Sequence, residues 1–344
     1  MRKRRVQVAL GAAVSLLFLY LVLRDLDWGE LWRLFAAGRY GYLVPATAVL
    51  VVINIVRAYR WGLLLDGDAP LPLWWLFRLV NIGYLMNNIF PAKAGEIVRG
   101  VLVGRQAAGG VGRGLSTVLM ERILDMLTVV VMLVALLPVV EFPGWATKAA
   151  VTLGAIAVVG VVGMLILARY GDRGLELLWR VMGRIPVVGN PKVRAGVTNL
   201  VSGFEVLLNW RLAPGLLVTS AVIWLGYALF NYIMMAVFGL AHLPFSAAAM
   251  VLVATGFGMA IPASPGGLGV FEWAAVQALL VFGVGQSEGA GYALGLHIYT
   301  MLAMIVLGLV GLMQEGLSLG AARELAGTQA DDPPADKAEE PGER

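Results

Sequence analysis

Long apolar stretches separated by short polar ones dominate the chain. Six of them approach the length of about 20 residues that a helix needs to cross the hydrocarbon core of a bilayer. They lie at 6–24, 41–65, 115–138, 146–168, 212–238 and 291–316. The pattern therefore predicts an all-α polytopic membrane protein with about six full spans.

Two further apolar regions are interrupted, one in each half of the chain. Residues 73–89 lead through NNIFPAKAG to a short charged arm, and residues 246–261 lead through PASPGGLG to a short apolar arm. Each interruption contains Pro-Ala-x-x-Gly, at Pro91–Gly95 and at Pro262–Gly266. Because non-helical backbone at membrane depth must be buried in protein or line a polar cavity, we interpret both regions as re-entrant helical hairpins. Broken helices at matching positions of two halves also indicate a transporter with its site near the bilayer midplane.

The distribution of basic residues predicts how the chain is oriented. Four basic residues at 2–5 place the N-terminus in the cytoplasm. The basic connection at 169–211 then also falls inside, whereas the loops at 239–245 and 285–290, which contain no Lys or Arg, fall outside. The hairpins enter from opposite sides, so the two halves form an inverted repeat and both termini are cytoplasmic. The same distribution would result if the hairpins crossed the membrane fully.

The chain divides into two regions. Residues 1–320 form a single transmembrane domain. Within it, 169–211 has the apolar and charged stripes of amphipathic helices, which lie either on the inner membrane face or against other protein. Residues 321–344 combine acids with prolines and are predicted to be a disordered acidic tail.

Composition supports the membrane class and excludes several kinds of site. The 344 residues are 59% hydrophobic and 14% charged, with a mean hydropathy of +0.81, whereas a soluble domain carries about 25% charged residues. The lack of cysteine excludes disulfides, thiolate metal sites and cysteine nucleophiles. Two histidines are too few for a histidine metal cluster. We attribute the net charge of +4 to loops beside anionic lipid rather than to nucleic-acid binding. We see no catalytic trio or nucleotide-binding loop, so we expect neither an enzyme nor an ATP-driven pump, and no cofactor.

Polar residues concentrate at the first interruption. A charge at membrane depth costs a few kcal/mol, by roughly the insertion scales, and so tends to be paired and to face a cavity. Glu96 and Arg99 are three residues apart and are expected to pair with each other. They either contribute to a substrate site or only satisfy one another at the inner interface. The candidates here are Asn87, Asn88, Pro91, Gly95, Glu96 and Arg99.

The second interruption is rich in glycine. Ser264 is predicted to cap a helix that starts at Pro265, and the glycines leave backbone N–H groups free to bind an anion such as a lipid phosphate. Alternatively, the glycines allow close helix packing. Glu272 is a proton-coupling carboxylate, a cation ligand or the partner of a distant Arg, and we interpret His297 as packed or hydrogen-bonded. The candidates here are Ser264, Pro265, Gly266, Gly267, Gly269 and Glu272.

Two of the spans carry further charges. Arg57 and Arg60 lie near the end of the second span, where they either bind lipid phosphate or extend to the membrane interface. The third span contains Glu121, Arg122 and Asp125 about one turn inside the membrane. We interpret these three as a buried polar network, which serves either function or the association of helices.

The succession RAYRW, NNIFPAKAGEIVRG, LMERILDM and PASPGGLGVFE, over about residues 5–320, resembles the lysylphosphatidylglycerol synthase transmembrane, or flippase-like, family. Its best-known members form the membrane half of the bacterial multiple peptide resistance factor. The resemblance implies movement of an aminoacylated phospholipid or a related lipid between leaflets of the cytoplasmic membrane. It also implies functional weight for thirteen residues. They are Arg60, Asn88, Pro91, Gly95, Glu96, Arg99, Glu121, Arg122, Asp125, Pro265, Gly266, Gly267 and Glu272. The soluble acyltransferase domain of the fused synthases has no counterpart here, so we do not expect synthase activity.

Three functions are compatible with these patterns. The first is a lipid flippase or transporter, whose partners are membrane lipids. The second is a membrane subunit that presents lipid to a separate synthase, acyltransferase or glycosyltransferase. The third, a membrane-embedded lipid-modifying enzyme, is disfavoured by the lack of catalytic groups.

Overall fold

The computed structural model describes residues 2–24, 26–65, 71–90, 93–107, 110–140, 208–259 and 264–331, with scattered residues between 152 and 198. These residues form α-helices and two short 3-10 turns, and no strand occurs among them. The all-α prediction is therefore confirmed.

Eleven helices lie within the continuously described ranges, and they are numbered here in chain order. They are α1 (Arg2–Leu23), α2 (Trp28–Ala36), α3 (Leu43–Leu64), α4 (Leu73–Ile89), α5 (Ala94–Gly104), α6 (Gly110–Leu136), α7 (Ala213–Val237), α8 (Phe245–Gly258), α9 (Val270–Leu280), α10 (Gln286–Gln314) and α11 (Leu319–Asp331). The 3-10 turns are Tyr40–Tyr42, before α3, and Pro265–Gly267, before α9.

Three stretches of helix in the described ranges are long and apolar enough to cross a membrane. They are Tyr40–Leu64, Ala213–Val237 and Gln286–Gln314. Helix α6 has 27 residues but carries a charged segment at 121–125, and the apolar part of α1 is shorter, at Ala13–Leu23. The predicted span at 146–168 lies largely outside the described residues.

Each interrupted region forms a pair of helices packed side by side, α4 against α5 and α8 against α9. In the first pair the two backbones nearly touch, since a Cβ added at Gly95 would overlap the carbonyl oxygen of Gly83. The side-chain oxygen of Asn87 also accepts a hydrogen bond of 2.9 Å from the Gly95 N–H, which caps the start of α5. Pro91 and Pro262 lie outside the described residues.

The helices of the two halves correspond in order and in packing. Each of α3–α4, α4–α5 and α5–α6 is a packed pair, as are α7–α8, α8–α9 and α9–α10. Between the halves, α3 packs on α7, α4 on α10 and α6 on α8. If α3–α6 are matched in order to α7–α10, then α4 corresponds to α8 and α6 corresponds to α10. The contact of α4 with α10 then corresponds to the contact of α8 with α6, as a two-fold relation requires.

The matching helices α3 and α7 are antiparallel. The N–H of Arg39, just before α3, donates to the carbonyl of Val237 at the end of α7, at 2.9 Å. Near the other end of α3, Arg60 Nη1 donates to Ser220 Oγ in the second turn of α7, also at 2.9 Å. Antiparallel packing of matching helices is the arrangement that an inverted repeat needs. The membrane side of each end stays a prediction.

Two apolar cores meet along α3. Leu50 and Ile53 belong to a core built mainly from the second half, and Ala58 and Trp61 belong to a core built mainly from the first. The boundary between the cores is where the two arginines of α3 lie, which is where we locate the candidate site below.

The segment after residue 320 is helical at first. Helix α11 packs on α5, Ala322 is fully buried, and Leu325 packs against the first-half core. The prediction of disorder is therefore wrong for residues 321–331, because apolar residues three apart supply a helical face that has a partner. Residues 332–344 lie outside the described residues, as does most of the connection at 169–211.

Candidate functional site

Five charged side chains from three helices are buried together in the first half. Arg57 and Arg60 lie on α3, Arg99 on α5, and Glu121 and Asp125 on α6, with exposed fractions between 0% and 6%. Glu121 and Asp125 share one face of α6 because they are four residues apart. The shared face allows both carboxylates to accept hydrogen bonds from the same guanidinium groups.

Glu121 contacts three arginines. Its Oε2 accepts from Arg99 Nη2 at 2.6 Å, and its Oε1 lies 2.8 Å from Arg57 Nη1 and 3.5 Å from a guanidinium nitrogen of Arg60. Asp125 completes the cluster with contacts of 2.7 Å from Arg57 and 2.6 Å from Arg60. The carboxylates thus bind α3 and α5 to α6.

Aromatic side chains close the cluster from the apolar side. The Arg99 guanidinium lies over the Trp61 ring, 4.8 Å from its centroid, and that of Arg57 lies 5.7 Å from the Tyr227 centroid. Trp224 donates to Asp125 at 3.3 Å. Aromatic faces attract cations electrostatically, most strongly in sites without water, so these rings stabilise charges that lipid would not.

A second ion pair is more exposed and borders a cleft. Arg122 Nε lies 2.8 Å from Glu96 Oε1, and the two side chains are 32% and 22% exposed. The cleft lies between α4, α5 and α6 and is closed here, leaving essentially no room for a water molecule. Its lining is Val80, Gly83, Tyr84, Asn87, Gly95, Glu96, Arg99 and Arg122.

The cluster and its border carry an excess of positive charge. The arginines are Arg57, Arg60, Arg99 and Arg122, and they face three carboxylates, Glu96, Glu121 and Asp125. One positive charge is therefore not balanced within the group. Within the described ranges, no set of three His, Asp or Glu residues is placed to hold a metal ion.

In the second half, Glu272 pairs with a histidine. Its Oε1 lies 2.6 Å from His297 Nδ1, and its Oε2 accepts from the Gly269 N–H at 2.7 Å. His297 Nε2 lies 2.9 Å from the carbonyl oxygen of Gly266. Glu272 and His297 are 1% and 5% exposed, and the Phe271 ring lies against the imidazole with centroids 4.4 Å apart.

The glycines of the second interruption serve both geometry and packing. Gly266 has φ of 72° and Gly269 has φ of 84°, values that favour glycine. A Cβ at Gly269 would overlap the Ser15 carbonyl oxygen on α1. At Gly269, the alternative that glycine permits close packing is therefore confirmed.

The two interruptions lie next to each other. Helix α4 packs on the turn Pro265–Gly267, and a Cβ built at Gly266 would lie 3.9 Å from the Asn88 side-chain oxygen. Asn88 and Gly266 thus bring the ends of the two helix pairs together, although Glu272 and Glu121 belong to separate clusters.

The family model described as the lysylphosphatidylglycerol synthase TM region matches residues 8–308. The chain belongs to this family. The matched range includes both interruptions and both clusters. Together with the span-length helices, it makes the protein an integral membrane protein.

The chain is also similar to Glycosyltransferase AglD of Haloferax volcanii. The two are 24% identical over 301 residues, which cover 78% of this chain and 48% of the relative. The chain thus spans about half the length of that curated protein. No solved structure matches the chain.

Several pairings in this family member differ from those predicted. Glu96 pairs with Arg122 rather than with Arg99, because α6 places Glu121 opposite Arg99. Arg57 and Arg60 do not extend to the interface, because their guanidinium groups are held in the buried cluster.

The second interruption also differs in two details. The Ser264 side chain makes no capping bond, while its N–H donates to Ser15 Oγ at 2.9 Å. The partner of Glu272 is His297 and not an arginine. The interpretation of His297 as a hydrogen-bonded residue is confirmed.

Sequence reasoning missed some members of the cluster. The sequence predicted that Arg57 binds lipid phosphate or extends to the interface, although its spacing of three from Arg60 puts both on one face of α3. Nothing in the sequence distinguishes the other members from ordinary residues of apolar helices, because their role depends on which helices pack together. These members are Tyr84, Ser220, Trp224 and Tyr227.

Proposed function

We propose that the protein moves a phospholipid, aminoacylated or not, or a lipid-linked substrate between the leaflets of the cytoplasmic membrane. The observation that carries this proposal is the excess of arginine at the first interruption, where Arg99 and Arg122 line a closed cleft inside an apolar helical body. A lipid headgroup enters this cleft only after the helices that line it have moved apart. Charged groups inside a membrane protein mark the pathways of polar substrates.

The length of the helices supports a re-entrant arrangement. At about 1.5 Å per residue, an 11-residue helix such as α5 or α9 is roughly 16 Å long, about half of the 30 Å hydrocarbon core. Each pair therefore turns back inside the membrane, with its polar ends beside the other pair. Rocking of two inverted halves around such a point gives access from each side in turn.

The more exposed ion pair offers a means of recognising a headgroup. A lipid phosphate competes with the Glu96 carboxylate for Arg122, and Arg99 lies in the same cleft. Once released, Glu96 is available to bind the ammonium group of an aminoacylated headgroup. The acyl chains remain in the membrane while the headgroup follows the cleft.

Reconstitution into liposomes tests the proposal. We expect a fluorescent anionic or aminoacyl phospholipid to exchange between leaflets faster than in protein-free liposomes. Because hydrogen bonds to charged groups contribute roughly 1.5–3 kcal/mol, Arg122→Ala should slow exchange by about tenfold or more. The matched control is Arg78→Ala, which removes a partly exposed arginine that pairs with Glu315 away from the cleft. Exchange at the protein-free rate under every gradient would contradict the proposal.

A second candidate function is supported by the relative. The protein named Glycosyltransferase AglD contains a region similar to this chain within a polypeptide about twice the matched length. This chain would then present a lipid to a separate glycosyltransferase or acyltransferase. The test is whether membranes from a deletion strain lose such an activity while the purified protein leaves leaflet exchange unchanged.

A further inference from the structure

The geometry around His297 points to a proton-binding site, formed by Glu272 and His297, whose loading closes the second interruption. The part of this inference that links the site to lipid movement rests on the proposed function. The binding of the proton itself does not.

The hydrogen-bond partners of His297 fix the number of protons. A carbonyl oxygen only accepts, so the contact of 2.9 Å between Nε2 and Gly266 requires a proton on Nε2. The contact of 2.6 Å between Nδ1 and Glu272 Oε1 requires a second proton, carried by either atom. The pair thus holds one proton more than a neutral imidazole beside a carboxylate.

Loss of that proton to water breaks one of the two contacts. If the remaining imidazole proton stays on Nε2, the Nδ1 lone pair faces a carboxylate oxygen. If it moves to Nδ1, the Nε2 lone pair faces the Gly266 carbonyl. In both cases two acceptors oppose each other, and the buried pair acquires a net negative charge without a compensating partner.

The described surroundings provide no substitute charge. On the elements packed against this pair, α1, α2, α4, α7, α8, α9 and α10, no ionisable side chain in the described ranges other than His297 makes a hydrogen bond or ion pair with Glu272. Arg78, on α4, pairs with Glu315 instead. Glu272 also contacts the Gly269 N–H, and His297 also contacts the Gly266 carbonyl and the Phe271 ring. Tyr292 and Tyr299, also on α10, donate to the carbonyls of Asn231 and Leu43.

The Glu272 carboxylate is a stronger acceptor than the Gly266 carbonyl, so the remaining proton stays on Nδ1 and the contact that is lost is the one between Nε2 and Gly266. This contact lies at the point where the two interruptions meet. Gly266 is the residue that approaches Asn88 on α4, and Glu272 also holds the Gly269 N–H at the start of α9. Release of the proton therefore frees the turn Pro265–Gly267 from α10 and loosens the approach between the two helix pairs. A proton taken up on one side of the membrane and released on the other would drive the cycle.

Cysteine accessibility tests the proton site without reference to transport. Because the chain has no cysteine, Ser264→Cys provides a single thiol beside the turn. We expect its labelling by a membrane-impermeant maleimide to rise severalfold with pH, relative to the same thiol in a Glu272→Gln background. The carboxamide accepts from Gly269 and donates to Nδ1 of a neutral imidazole, so Glu272→Gln imitates the loaded pair.

Matched variants make the labelling experiment decisive. The same pH profile with and without Glu272→Gln would overturn the proton site. His297→Gln should also alter the profile, and Glu272→Gln still decides the matter if His297→Gln does not fold. His242→Gln changes the other histidine of the chain, which is exposed, and should leave the profile unchanged.

Liposomes with a pH gradient test the link to lipid movement. We expect the gradient to accelerate exchange in the native protein and to have no effect in Glu272→Gln. If the rate of exchange in the native protein does not change with the pH gradient, the link between proton binding and lipid movement is contradicted. The proposed function is then unaffected. No exchange at all would contradict the proposed function, and the labelling result would still decide the proton site.

Discussion

At the scale of single residues, Glu121 makes ion pairs with more arginines of the buried cluster than Asp125 does on the contacts described above. It contacts three guanidinium groups and is fully buried. We expect Glu121→Gln to lower the free energy of unfolding by about 3–5 kcal/mol, because removal of one partner leaves buried charges uncompensated. Chemical unfolding in detergent micelles measures the loss.

Glu96→Gln is the matched control for Glu121→Gln. It makes the same chemical change in a carboxylate whose ion pair is partly exposed. Exposed pairs contribute about 0–1 kcal/mol, so we expect little change in the stability of this variant. Equal losses in the two variants would show that burial does not determine the strength of these pairs.

The residues of the site were predictable in kind but not in pairing. The spacing of Glu121 and Asp125 identified a shared face within one helix, which is local information. The pairing of Glu272 with His297 joins two helices, and that of Arg57 with Glu121 joins two others. A single sequence does not contain this information, since it depends on which helix faces stack against each other.

At the scale of helices, the close contact between α4 and α5 depends on Gly83 and Gly95. We expect Gly95→Ala to reduce the amount of folded protein and its melting temperature, because the added Cβ would force the two backbones apart. Size-exclusion chromatography and thermal unfolding in detergent measure the two quantities.

Gly112→Ala on α6 is the corresponding control. A Cβ there has open space and the position is helical, so we expect stability to be unchanged or raised by up to about 1 kcal/mol. If Gly95→Ala were tolerated as well as Gly112→Ala, the backbone contact between α4 and α5 would not exist in solution.

The interruptions were visible in the sequence because proline and glycine act on the backbone locally. Helix α11 was not, because its composition is that of a disordered tail and only its contact with α5 makes it a packed helix. Predictions from composition fail where a short apolar face finds a partner that is distant in sequence.

At the scale of the whole molecule, the antiparallel packing of α3 and α7 can be tested by crosslinking. An ideal Cβ at Gly226 lies 2.8 Å from Ile53 Cγ1, which places the two Cβ atoms within about 4.5 Å, the range of a disulfide. We expect Ile53→Cys with Gly226→Cys to form an intramolecular disulfide on mild oxidation, detected by mass spectrometry of the digested protein.

Ile53→Cys with Gly215→Cys is the control pair. Gly215 lies beside Leu63, ten residues from Ile53 along α3, so this pair should not crosslink. A disulfide in the control pair, or none in the first pair, would contradict the antiparallel arrangement and the two-fold relation of the halves. The charge distribution of the loops predicted this relation, because it indicates on which side of the membrane each loop lies. It therefore indicates whether the chain crosses an odd or an even number of times between two loops.

The glycine contacts have a mechanical consequence. Gly95 abuts Gly83, and Gly114 abuts the carbonyl of Gly100, so α4, α5 and α6 touch backbone to backbone at these two points. At neither point does a side chain lie between the helices that could change rotamer and absorb a displacement. We expect three helices joined in this way to move as one rigid body. If the protein moves lipid as proposed, the deformation is therefore concentrated where this group packs against α3 and α10, while the wall that carries Arg99 and Arg122 keeps its shape.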